Sequence, residues 1–75
     1  MTIEEFLDTH YKTQWNKARL FARAGTGYER SVGDMMDEME HRKFPLKEMQ
    51  KEAISCNPKD PDFIFKFVFE MYTKQ

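Results

Sequence analysis

The sequence predicts an all-α fold, a compact bundle of four helices over about residues 3–24, 28–42, 45–55 and 61–73. Three observations lead there. Apolar residues recur at helical spacing in four successive segments. Residues that start and stop helices stand between them. The one stretch that also alternates like a strand has no partner strand elsewhere in the chain. Connections of a few residues imply antiparallel or angled neighbours. No repeat, low-complexity stretch or linker interrupts the chain, so residues 1–75 read as a single helical domain.

The first helix opens on Thr2-Ile3-Glu4-Glu5, a capping box with Thr2 as N-cap and Glu5 reaching back from the third position. Ile3, Leu7, Tyr11, Ala18, Phe21 and Ala22 form its apolar face, flanked by Phe6 and Trp15. Acidic Glu4, Glu5 and Asp8 crowd its start, and basic Lys17, Arg19 and Arg23 its end, as the helix dipole favours. Gly25 is the expected left-handed stop.

A second capping box can be read at Thr26-Gly27-Tyr28-Glu29, with Ser31-Val32-Gly33-Asp34 as a rival start one turn later. Tyr28, Val32, Met35 and Met39 make the seam of this second helix, with Met36 beside it. Gly33 inside it costs about 1 kcal/mol relative to alanine, which calls for close approach of a neighbour, Trp15 or a phenylalanine. Phe44-Pro45 ends the helix and starts the third. There Leu46, Met49, Ala53 and Ile54 form the buried side, opposite Lys47, Glu48, Lys51 and Glu52. Cys56-Asn57-Pro58-Lys59 is a tight connection.

The last segment holds four of the seven phenylalanines. As a strand it would put Phe63, Phe65, Phe67, Phe69 and Met71 on one face. As a helix it collects Asp62, Lys66, Glu70 and Thr73 in one arc, Lys66 and Glu70 able to pair. Asp60 then serves as N-cap and Pro61 as first helical residue. The helix reading explains the Asp-Pro-Asp start; the rival is an intermolecular strand over 63–69. A helix apolar over most of its circumference must be surrounded. Either the other helices wrap it, or part of it meets another molecule.

A 75-residue chain buries only roughly 60% of its unfolded surface. A core of that size rarely supplies more than about 3–5 kcal/mol without staples. Cys56 is the lone cysteine, so no disulfide forms within the chain, and a reducing, cytoplasmic setting is expected. These limits tilt the expectation toward oligomerisation or partner binding. The net charge of −1 and pI near 6.1 give no global attraction to nucleic acid or membrane. No run approaches membrane-spanning length, and the acidic, capped start is unlike a signal peptide.

Chemistry is sparse. His41 follows Asp37 by four residues, a weak two-ligand pattern, and no metal site or cofactor is expected. Cys56 with His10 or His41 lacks any motif for nucleophilic catalysis, so no catalytic residue is assigned and the chain is not expected to be an enzyme. Gly25, Thr26 and Gly27, with Arg30 beside them, could hold an anion or nucleotide at a helix start. Lys12, Asn16, Arg19 and Arg23 form a polar stripe of the kind that enters a DNA groove, though Glu5 and Asp8 continue it with the wrong charge.

The aromatic and methionine excess outweighs these signals, because such residues are enriched at interface centres. The first-ranked expectation is a non-catalytic protein-protein interaction module that regulates or inhibits a larger protein, with homo-oligomerisation as a variant. Phe65, Phe69, Tyr72, Met36 and Trp15 are its expected contact surface, with Asp34, Asp37 and Glu38 steering by charge. A nucleic-acid regulator using the Lys12–Arg23 stripe ranks second, and an anion binder at Gly25–Gly27 third. Small accessory proteins of phages or mobile elements are often of this build, an expectation from base rates that no residue carries.

Overall fold

Residues 1–25, 27–39 and 41–74 are described by a computed structural model, those at 28 and 29 through their backbone. The described residues form five helices: α1 Ile3–His10, α2 Lys12–Ala24, α3 Tyr28–Met39, α4 Leu46–Ser55 and α5 Phe63–Thr73. The all-α class holds; the count of four does not, because the expected first helix is broken at Tyr11.

Size supplies a physical reason for the break. A straight helix over residues 3–24 would run about 33 Å, as long as the whole molecule, whose largest extent is 32 Å. Tyr11 departs from helical geometry (φ −139°, ψ 41°). The hydrogen bonds continue through it, Tyr11 N to Leu7 O and Trp15 N to Tyr11 O, both 2.9 Å. The bend lets two rings from one segment reach α5: Phe6 stacks on Phe67 with centroids 5.7 Å apart, and Tyr11 meets Phe63 at 4.8 Å. It also resets the helical phase. Trp15 and Ala18 turn into the core, whereas Phe21, expected inside, is 61% exposed.

α5 is the central post. It packs on α2, α3 and α4, and on α1 through Phe6. Phe63, Ile64, Phe65, Phe67, Val68 and Met71 are buried, while Lys66, Glu70 and Thr73 face outward with Phe69. The helix reading of this segment stands and the strand reading falls. Its start differs from expectation. The helix begins at Phe63 with Asp62 at the cap position and no side-chain cap bond. Asp60 instead closes a turn, its Oδ1 accepting the Asp62 amide at 2.8 Å. Its other oxygen takes Lys66 Nζ at 2.6 Å, so Lys66 pairs backward with Asp60.

Elsewhere local signals act much as written. The Thr2–Glu5 capping box is complete, with both bonds at 3.1 Å. Phe44 N donates to Met1 O, and a lone bridge joins Thr2 to Lys43, fastening the chain start to the α3–α4 connection. Gly25, expected to be left-handed, is extended (φ −81°, ψ 168°); Gly27 takes the left-handed conformation (φ 69°). The capping box proposed at Thr26 and Glu29 lies outside the described residues. Gly33 does mark a close approach, but to Ala22 of α2 and not to an aromatic ring. In α4 only Met49 and Ala53 of the expected apolar side are buried. Leu46 and Ile54 are exposed, and Glu52 is buried in their place.

Candidate functional site

Much of the expected contact surface is used internally. Trp15, Met36 and Phe65 belong to the buried core, so they are not an exposed docking face. Tyr72 is half-buried and bonded to Glu38, which ties α5 to α3; the carboxylate raises the phenol above its ordinary pKa. Of the five, Phe69 is the exposed one.

The outward apolar surface that sequence reasoning missed is Leu20 and Phe21 on α2, at 66% and 61% exposure. They border a groove of about 860 Å³ between α2 and the α4–α5 connection, a size within the ~300–1,000 Å³ typical of ligand clefts. The floor is Ala18 and the first turn of α5, Phe63, Ile64 and Phe65. The far wall is Pro58–Pro61. That wall is braced: Asp60 N donates to Asn57 O at 2.9 Å, and Lys59 N to Asn57 Oδ1 at 3.2 Å. Asn57 takes a left-handed φ of 59° to make the turn. A long bond from Gln14 Nε2 to Pro58 O, 3.4 Å, links the wall to α2. Lys17 on α2 and Lys59 on the wall line the groove with Asp60, whose carboxyl the Lys66 ammonium and then the Asp62 amide hold below its ordinary pKa. Spacing gave no signal for the exposed Leu20-Phe21 pair, because Phe21 falls on one apolar face with Ala18 and Ala22 until the bend at Tyr11 sets the phase of α2.

A second groove, of about 510 Å³, runs along the contact of α2 with α3. Arg19, Arg23 and Arg30 face Glu4, Asp34 and Asp37 around Ala22 and Gly33. It thus brings together members of three predicted sets, the basic stripe, the anion site and the steering acids, with charges that balance. Arg19 is further committed. Its guanidinium lies 4.7 Å over the Trp15 ring and bonds Asp8 at 3.0 Å. Trp15 Nε1 and Arg19 Nε are buried and find no acceptor among the described residues. Lys12 and Asn16 are exposed on the same helix. This mixture does not favour a polyanion, whose binding rests on unpaired positive charge. Gly25 and Gly27 flank a residue outside the described set, and Gly27 O accepts the Ser31 amide at 3.0 Å as α3 begins.

Cys56 is half-buried, and its thiol donates to Glu52 at 3.9 Å. Burial, then the Glu52 carboxylate, raises its pKa, the opposite of what a nucleophilic thiolate needs. Glu52 in turn accepts from Lys74 Nζ, pinning the C-terminal turn to α4. Among the described residues no group of three or more His, Cys, Asp or Glu could hold a metal ion, and no helix is long and apolar enough to cross a membrane. Compared with protein-family models, curated proteins and solved structures, the chain matches none.

Proposed function

We propose that the chain is a small non-catalytic interaction module that binds, and so regulates or inhibits, a larger protein. One observation carries the reading: Leu20 and Phe21 stand side by side, each more than half exposed, on the lip of an apolar groove. Single exposed apolar residues are ordinary; a contiguous pair beside an apolar cleft is what interaction sites present. This reading takes Leu20 and Phe21, on the outer side of α2, as the contact face in place of the buried Trp15, Met36 and Phe65. The raised thiol pKa of Cys56 and its bond to Glu52 rather than a histidine weigh against nucleophilic catalysis.

The test is site-specific photocrosslinking from position 21 and, as a control, from exposed Ile54 on α4, alongside light scattering over a range of concentrations. A discrete adduct from position 21 and not from 54, competed by unlabelled chain and not by Leu20→Asp/Phe21→Asp, supports the reading. A chain that stays monomeric and yields no position-specific adduct overturns it.

A further inference from the structure

We infer that the partner element the Leu20–Phe21 groove accepts is an acidic amphipathic helix of another protein; this rests on the interaction reading above and names its chemistry.

The groove is a trough with one helix as its near wall and a braced turn as its far wall. Its floor, Ala18 with Phe63, Ile64 and Phe65, is sealed core, each residue at most 6% exposed, so the apolar surface on offer is that of Leu20 and Phe21 on the lip. The two cations stand on opposite sides, Lys17 on α2 and Lys59 on the connection. Among the described residues neither has an ion-pair partner, and both are exposed. The third charged group, Asp60, is already bonded to Lys66 at 2.6 Å. An element lying along the trough therefore meets the exposed Leu20 and Phe21 side chains on its near lip and an unmatched positive charge at each flank. A helix with apolar residues at i, i+3, i+4 and i+7 and carboxylates beside that stripe complements all three features.

Two other occupants fit less well. A small amphiphile could fill the floor, but Leu20 and Phe21 would still face water. An anionic lipid surface would also take Leu20 and Phe21 with Lys17 and Lys59, but a flat surface leaves the trough between the two walls unfilled. The wall's internal hydrogen bonds leave little ordering to be done when a helix enters, which favours affinity.

The experiment is selection of a displayed library of helical peptides, randomised at stripe and flank positions, against the full chain, with vesicle sedimentation and light scattering in parallel. The expected result is enrichment of peptides with Asp or Glu flanking an apolar stripe. Their binding is lost in Leu20→Asp/Phe21→Asp and weakens roughly tenfold in Lys17→Glu/Lys59→Glu, the size expected when two exposed ion pairs reverse sign. The charge-reversed chain then selects basic flanks. Circular dichroism checks that both variants keep the fold. Binders that need Leu20 and Phe21 but carry neutral or basic flanks overturn the acidic helix and leave the interaction face standing. So does a dimer that Leu20→Asp/Phe21→Asp dissolves. Sedimentation with phosphatidylserine vesicles through Leu20 and Phe21 likewise overturns it. No enrichment, or binders indifferent to Leu20 and Phe21, overturns the acidic helix, and the crosslinking and light-scattering test above then decides the interaction reading separately.

Discussion

A Cβ placed on Gly33 would stand 3.1 Å from the Cβ of Ala22, so α2 and α3 touch where each has its least side chain. Two effects oppose each other in Gly33→Ala. Helix propensity favours alanine by about 1 kcal/mol. The neighbour that must give way is a Cβ fixed to helical backbone, with no rotamer to escape into, and overpacking typically costs about 1–3 kcal/mol. The expected outcome is a net loss of about 1 kcal/mol in urea unfolding. In an Ala22→Gly background the clash is gone, and the same substitution should become stabilising. A stabilising Gly33→Ala in the parent chain would show that the two backbones yield the few tenths of an ångström the added methyl needs.

Phe67 is fully buried in α5 and lies between Phe6 and Phe63, with centroids at 5.7 and 6.0 Å. Phe67→Ala should cost about 3–5 kcal/mol, comparable with the whole stability a core of this size supplies, about 3–5 kcal/mol. The variant should be largely unfolded at 25 °C by near-UV circular dichroism. Phe21→Ala removes a ring that is already mostly in water and should leave the midpoint nearly unchanged. The pair separates a core ring from a surface ring of the same chemistry.

Two carboxyls should titrate low. Lys66, then the Asp62 amide, hold Asp60 below its ordinary value. The Thr2 amide, then the Thr2 hydroxyl, do the same for Glu5. A depressed folded-state pKa contributes stability above the unfolded pKa, about 3.9 for Asp and 4.3 for Glu. That contribution is lost as pH falls through the lower folded value. In an NMR pH titration, Lys66→Met should move Asp60 up toward the ordinary value and leave Glu5 alone. Thr2→Ala should raise Glu5 only in part, because the backbone bond at 3.1 Å remains, and should cost about 1 kcal/mol through loss of the cap. Equal response of both carboxyls to Lys66→Met would contradict the two local origins.

Residues three or four apart in the sequence were legible because their interactions close within one turn. The Thr2–Glu5 box needs no tertiary contact, and it formed as read. The Asp-Pro-Asp start and the absence of a partner strand placed α5 on the helix side of an ambiguous pattern, although the helix begins two residues later than that start implied, and three helices and the α1 ring of Phe6 surround it as its largely apolar circumference requires. Gly33 announced a close approach, though not the partner. The interaction face was misplaced for a simple reason: periodicity identifies which residues are apolar together, and in a chain this small nearly all of those are consumed by the core. Phe65, Met36 and Trp15 were plausible surface residues only while nothing was known of what surrounds them.

By itself, then, the sequence determined the all-α class, the start of the first helix, the helical nature of residues 63–73 and the approximate ends of the later helices, all through bonds and contacts of short range. Tertiary structure decided the break at Tyr11, which no proline or glycine signals. The break follows from fitting a long apolar helix around α5 and from bringing Phe6 and Tyr11 onto the same post. That bend sets the phase of α2, turns Trp15 inward and Phe21 outward, and so decides which apolar residues are left for a partner. Phase after a bend depends on packing at a distance, and local spacing carries no information about it.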